Sequence, residues 1–458
     1  MNYIPKAIDL VVKNDLCIGC GLCTYECQDN ALEIRWNDFG FLVPFQKGDC
    51  NGNGDCIRVC PFNPYPEEEV KTENELAGIF LKDAINSDSK IGRYNGVYVG
   101  FSKDFRLTSS SGGIATFVFS DLLDRNIVNH IFSIKESNKP GIHYEYSISS
   151  TKQDLLAASE TKYFPVTLST IFDNIDKLDG KIAVVGVACF IKAIRLAQHT
   201  HPSLKEKIPF LVGIICGGVK SRFFSEYLSD KTGVPKDLYF KPKFRIKDLN
   251  STALDYSFGC SSLTDNQERT LKMQTIGEMW GTGFFKSNAC DFCDDVTTEL
   301  ADISLGDAWL DPYVKDGKGT NVVVTRSALA EKIIRDGIES SNLEVEKLSV
   351  ERLVSSQQGS FNHRQTGIPY RIKRFTRMGH PVPPKRFTKT SWKTLDLKIL
   401  QYFRMKTRSN SLSIWKKEGN SVLFDRKIKK TLRLLRIATS ISHFKRSLFA
   451  RFNIKINN

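Results

Sequence analysis

Residues 181–198 read Lys181-Ile-Ala-Val-Val-Gly-Val-Ala-Cys-Phe-Ile-Lys-Ala-Ile-Arg-Leu-Ala-Gln198. Lys181 to Val187 is a short, continuous apolar run rich in β-branched residues, which predicts a strand buried on both faces. Ile191 to Gln198 then takes helical spacing, so the segment reads as strand, loop, helix, with Cys189 at the junction. Working outward, the pattern recurs. Gly96 to Phe101 precedes a helix over Gly113 to Asp124, Pro209 to Ile215 leads into Arg222 to Ser229, and Thr320 to Thr325 leads into Ser327 to Ile338. Strands alternating with helices predict an α/β body over residues 90–368 with a mainly parallel or mixed sheet. In such folds ligands sit in the loops at the carboxyl ends of strands.

Upstream the texture changes. Seven of the twelve cysteines fall between Cys17 and Cys60, in a Gly- and Asp-punctuated segment closed by Cys60-Pro-Phe-Asn-Pro-Tyr-Pro66. Residues 1–66 are therefore expected to form a small ferredoxin-like α+β domain. Cys17-x2-Cys20-x2-Cys23-x3-Cys27 is the spacing by which one loop gives three thiolates to a cubane while the fourth cysteine reaches a second one. The second half, Cys50-x2-Asn53-x2-Cys56-x3-Cys60-Pro61, repeats that register with asparagine in the second position. Crossed ligation assigns Cys17, Cys20, Cys23 and Cys60 to a complete [4Fe-4S] cluster. Cys27, Cys50 and Cys56 remain for a second one short of a thiolate. That site is open between a [3Fe-4S] core, a four-iron cluster with another ligand, and no cluster at all. Zinc, which also takes CxxC pairs, wants two separated pairs, whereas four cysteines here lie within eleven residues.

At 458 residues, with 41% hydrophobic and 25% charged content, the chain is too apolar for disorder, and its longest charge-free apolar stretch, Ile208 to Val219, is too short to span a bilayer. The first fifteen residues lack an uninterrupted apolar leader segment, which implies the cytoplasm and reduced thiols. The net charge of +14 is lopsided: residues 371–458 hold 24 Lys and Arg against 3 Asp and Glu, so the remainder is net negative. Within the extension 369–458, Leu395 to Met405 and Val422 to Leu448 have helical apolar spacing, with Ile428, Leu432 and Leu435 on one stripe. Two uses stay open for these basic helices: peripheral docking on the inner face of the membrane or on a redox partner, which the one-sided charge favours, and packing on the acidic body. No nucleic-acid-binding module is recognisable.

Cys189 and Cys216 each follow a predicted strand, and Cys290-x2-Cys293 adds two more thiols, enough to surround one further cluster. Their alternative is the commonest role of a free cysteine, a small buried hydrophobe. Cys260 stands in reserve. Ser109 to Gly113 is a short Ser-Gly loop before a helix, suited to phosphate or simply to a tight turn with a serine cap. Arg245 and Lys247 read either as functional cations or as a solvated face, Asp302 and Asp307 as ligand-orienting residues or loop caps.

Taken in order, Ser110-Ser111-Gly112-Gly113, Thr161-Lys162-Tyr163, Val185-Gly-Val-Ala-Cys189, Gly213-Ile-Ile-Cys216, Cys290-Asp-Phe-Cys293-Asp, Glu299-Leu-Ala-Asp-Ile-Ser-Leu-Gly-Asp-Ala-Trp309 and Gly319-Thr320 resemble the beta subunits of coenzyme F420-reducing hydrogenases and dehydrogenases. With the ferredoxin segment the resemblance covers about residues 10–365. That family also includes a hydroxymethyl-chlorophyll a reductase and ferredoxin-fused members found with polysaccharide-synthesis functions. The resemblance implies an iron–sulfur flavoprotein oxidoreductase with FAD on the α/β body, held by Ser110, Ser111, Gly112, Gly113, Lys162 and Tyr163. It further implies an Fe–S cluster beside the flavin and electron exchange with coenzyme F420 or a similar acceptor, a redox partner protein or an organic substrate. A non-catalytic electron-transfer subunit of a larger complex is the alternative it admits.

Overall fold

The computed structural model describes residues 3–139, 141–276, 279–389 and 395–451. The seven N-terminal cysteines lie in loops and short helical turns flanking two antiparallel strands, β1 (Leu32–Trp36) and β2 (Leu42–Gln46). A small hairpin, β3 (Asn86–Asp88) and β4 (Gly92–Tyr94), precedes the body.

The body is built on one eight-stranded sheet. In chain order its strands are β5 (Gly96–Ser102), β6 (His130–Glu136), β7 (Tyr144–Ser149), β8 (Ile182–Val187), β9 (Phe210–Ile214), then β13 (Ile303–Asp307), β14 (Asn321–Thr325) and β15 (Leu343–Lys347). Between β9 and β13 the chain makes a separate three-stranded sheet, β10 (Tyr239–Ile246), β11 (Ser257–Ser262) and β12 (Glu268–Lys272). The spatial order of the large sheet is β15-β5-β14-β13-β9-β8-β6-β7. Only β6, β8, β9 and β13 run parallel, through the middle; β7 on one side and β14, β5 and β15 on the other are antiparallel. The sheet is therefore mixed, with its parallel part in the centre, where Ala183, Val184, Leu211 and Val212 are fully buried by helices such as Ile114–Asp124 and Ala188–Thr200.

The basic extension folds into two long antiparallel helices, Leu395–Glu418 and Ser421–Arg451. Their apolar side fills the body: Leu412, Trp415, Phe424 and Ile428 join Tyr227, Phe258 and Phe285 in one core. Trp415 Nε1 donates to Glu226 Oε2 at 2.8 Å. Farther along, Leu435 packs on Leu400 and Ala438 of the helical pair itself. The charge asymmetry is partly internal pairing, with Arg408 on Asp291, Arg386 on Glu299, Lys416 on Asp38 and Arg371 on the Asp291 carbonyl. Packing accordingly accounts for the Ile428 and Leu432 stripe that the one-sided charge had favoured for docking. No helix among the described residues is long and apolar enough to cross a membrane.

Candidate functional site

Cys17, Cys20, Cys23 and Cys60 line one cavity, closed by Leu16, Ile18, Val59 and Pro61. Burial pushes the Cys17 thiol up to about 12 and the Cys20 thiol to about 11, while Cys23 and Cys60 rise well above the usual range because neighbouring thiolates add to the desolvation. Thiols in so apolar a space ionise when a metal replaces the proton. Four thiols around one apolar cavity suit a multi-iron core. Cys27 and Cys50 stand beside Cys56, whose thiol is raised by burial first and then by these two. Asn53, the residue in the missing ligand's place, is exposed.

The four internal cysteines also converge. Cys189 lies in the first turn of the helix after β8, Cys216 just beyond β9, and Cys290 and Cys293 at a short turn, Asn288–Phe292. Burial raises the Cys189 thiol well above its ordinary range, and Cys290, Cys293 and Cys216 add to the effect, followed by Cys20. Cys20 belongs to the complete N-terminal set, so the two four-cysteine sites are neighbours. Segment 164–172 of the body fastens the N-terminal set: Leu168 N donates to the Cys20 carbonyl at 2.9 Å. On the other flank Ser287 Oγ reaches the Cys17 carbonyl at 3.4 Å. Cys260 lies apart on β11, near Thr232 and Ser229, and is a buried hydrophobe.

A residue that the sequence does not flag completes the internal site. Arg364 is buried and donates from Nη1 to Cys293 Sγ at 3.3 Å and to the Asp295 carbonyl at 2.6 Å, and from Nη2 to the Cys216 carbonyl. Desolvation opposes its charge, but Cys293, Cys216 and Cys290 more than offset that and raise its pKa. Lys286 pairs with Asp291 at 2.7 Å beside Cys290. The one available signal was the buried run of acids Asp294, Asp295 and Glu299, which demands cations from elsewhere in the chain.

The Ser-Gly loop lies between β5 and the helix Ile114–Asp124. Its hydroxyls hold the loop: Ser110 Oγ accepts from Thr161 N at 2.8 Å, and Ser111 Oγ donates to the Thr320 carbonyl at 3.2 Å. Lys247 Nζ clamps it further, donating to the carbonyls of Ser111 and Arg106 at 2.7 Å. Gly112 is pressed on the sheet, since a Cβ there would lie 2.7 Å from Asn321 Oδ1 and 2.8 Å from the Gly100 carbonyl. Gly113 begins the helix at a φ of 79°, in the left-handed region glycine tolerates. Among the described residues, the five backbone N–H groups from Ser109 to Gly113 donate to no protein acceptor. Ser109 and Ser110 are themselves buried. Orphaned, buried donors at a helix N-terminus fit an anionic group such as a phosphate.

Thr161 ties this loop to Lys162 and Tyr163. Lys162, half-buried, donates to the Glu160 carbonyl, and burial holds its ammonium down to about 8. Tyr163 meets Trp280 edge-on at 4.6 Å, and Trp280 lies over Gly217, next to Cys216. An aromatic wall thus runs from the Ser-Gly loop to the internal thiols. Arg245, on this wall, is buried in an ion pair with Asp307 at 2.6 Å, so it is not part of a solvated face. Asp302 instead pairs with Arg195 at 3.1 Å inside the body.

Three family models match the chain: a 4Fe-4S dicluster domain over residues 16–63, and the N-terminal and C-terminal parts of the coenzyme F420 hydrogenase/dehydrogenase beta subunit over residues 97–173 and 179–351. A component of the F(420)H(2) dehydrogenase of Methanosarcina mazei is 24% identical over 352 residues, 73% of this chain and 87% of that protein. The beta subunit of the coenzyme F420 hydrogenase of Methanothermobacter thermautotrophicus is 24% identical over 305 residues, 61% of this chain and 98% of that one. A chain of the F420-reducing [NiFe] hydrogenase complex from Methanosarcina barkeri aligns with a TM-score of 0.47 at 19% identity, covering 61% of this chain and 93% of its own.

Proposed function

Because the chain belongs to the coenzyme F420 hydrogenase/dehydrogenase beta-subunit family and carries a 4Fe-4S dicluster domain ahead of it, we propose that it is an iron–sulfur flavoprotein oxidoreductase that uses coenzyme F420 or a similar two-electron carrier. The observation that carries this reading is the proximity of Cys20 to Cys189, which puts two four-cysteine sites side by side. When bound, the clusters supply one-electron transfer and FAD couples it to hydride chemistry. Cys17, Cys20, Cys23 and Cys60 would hold one cluster and Cys189, Cys216, Cys290 and Cys293 another. The unpaired N–H groups of Ser109 to Gly113 would bind the flavin's phosphates. Lys162 would hold positive charge near the flavin ring, and Tyr163 with Trp280 would keep water from the space between ring and thiols.

The experiment is anaerobic purification with iron, sulfide and flavin assays, followed by dye-linked reduction of F420. At least two iron–sulfur sites, bound FAD and F420 turnover are expected; stoichiometric zinc without sulfide contradicts the reading. The same geometry serves an electron-transfer subunit that passes charge to another protein. Steady-state turnover by the isolated chain separates that role from catalysis.

Peripheral membrane contact would use the far end of the helical pair. There Leu434, Ile437, Ile441 and Phe444 are exposed at helical spacing, beside exposed Arg433 and Arg436.

A further inference from the structure

We propose that the second N-terminal site holds a three-iron [3Fe-4S] core on Cys27, Cys50 and Cys56, with no protein ligand at its fourth corner. The proposal rests on the reading that this domain binds clusters, and departs from the two four-iron clusters that a 4Fe-4S dicluster domain implies. The Cys-x2-Cys-x2-Cys-x3-Cys register occurs twice, and Asn53 stands where Cys20 stands in the first copy. The two positions have opposite environments. Cys20 is buried in the cysteine-lined cavity, whereas Asn53 is exposed.

Asn53 is also fully engaged in its own turn. Its Nδ2 donates to Asp55 Oδ2 at 2.6 Å, its Oδ1 accepts from Asp55 N at 3.2 Å, and its backbone N donates to Asn51 Oδ1 at 2.8 Å. A neutral amide oxygen is in any case a poor substitute for a thiolate on iron. Asp55 is occupied by Asn53, and the Asp29 carboxylate accepts from both Asn51 N and Asn51 Nδ2, at 2.8 and 3.0 Å. Both carboxylates already accept hydrogen bonds from the turn. Lys6 lies against the same loop, since a Cβ on Gly54 would sit 2.8 Å from its Nζ. An ammonium group there opposes the binding of a further ferrous ion at the open corner.

The test uses the full chain, purified anaerobically, with electron paramagnetic resonance of the oxidised protein and iron counted per chain. An oxidised three-iron core is paramagnetic, while an oxidised four-iron core is silent. The expected result is a three-iron signal at close to one spin per chain. In Asn53→Cys that signal should disappear and the iron content rise by one atom per chain. Should that variant misfold, Cys50→Ala in the otherwise native chain should abolish the signal and spare the remaining iron. Asp55→Asn should leave it unchanged. A silent oxidised wild type that contains iron and sulfide overturns the proposal while sparing the cluster reading, and so does a signal that survives both Asn53→Cys and Cys50→Ala. A wild type free of iron and sulfide overturns both.

Discussion

Replacing Arg364 with glutamine should lower the reduction potential of the proposed internal cluster. The native guanidinium is buried, reaches Cys293 Sγ at 3.3 Å and holds the Cys216 carbonyl, so it is a cation in direct contact with two of the four proposed ligand residues. Reduction adds a negative charge to the cluster, which a nearby cation stabilises. Taking the added charge to be about 5 Å from the guanidinium and the effective dielectric constant to be about 20, the interaction is ~3 kcal/mol. At ~1.4 kcal/mol per 59 mV for a one-electron couple, that corresponds to a fall on the order of 100 mV. Glutamine keeps a donor for one carbonyl, so the fold should survive, though a loss of about 3 kcal/mol is expected from breaking buried charge-assisted contacts. Redox titration followed by paramagnetic resonance reads the potential, and circular dichroism checks the fold. A potential that stays put or rises in folded Arg364→Gln protein would refute the reasoning, since Arg364 would then be no neighbour of the charge.

Trp415→Ala removes a fully buried side chain and leaves Glu226 without its indole donor, so it should cost about 3–5 kcal/mol in denaturant unfolding; a loss below about 1 kcal/mol would mean that the helical pair does not pack as described. Gly112→Ala should reduce flavin content and stability together, because the new Cβ meets the backbone of Gly100 and Asn321; loss of flavin at native stability would mean that the loop is free of the sheet. Lys162, held down to about 8 by burial, should lose its charge as pH rises through that value, and F420 turnover should fall in the same window but not in Lys162→Gln. The sign for stability is opposite: below about 8 the folded state bears the cost of a buried ammonium, and that cost fades as pH rises towards the unfolded value of about 10.4. Ile441→Glu with Phe444→Glu should abolish salt-sensitive sedimentation with anionic vesicles and leave the melting temperature unchanged, both residues being exposed; unaltered vesicle binding would remove that face from consideration.

The sequence made legible what is local. The Cys17 to Cys27 register and the strand–loop–helix at Lys181 to Gln198 are written in consecutive residues, and Cys189 and Cys216 follow β8 and β9 where expected. Features that depend on distant partners were not legible. Arg364 comes to Cys293 from a segment about seventy residues away, with no local motif to announce it. The mixed sheet arises because β14 inserts antiparallel between β13 and β5, an order that periodicity does not encode. Charge composition in residues 371–458 suggested an appendage, yet Arg371, Arg386 and Arg408 pair with acids and carbonyls of the body that only folding brings near. The close approach of Gly112 to the sheet was illegible for the same reason; its neighbour Asn321 is more than two hundred residues away.

The most direct measurement of the central claim is iron and acid-labile sulfide per chain in anaerobic wild type and in the double variant Cys290→Ala, Cys293→Ala. With four-iron clusters at the complete N-terminal and internal sites and a three-iron core at the second N-terminal site, the wild type should hold about 11 iron atoms. The variant should lose about 4 of them and keep the N-terminal clusters' spectrum. An iron content that the double substitution leaves unchanged would contradict an internal cluster on Cys189, Cys216, Cys290 and Cys293.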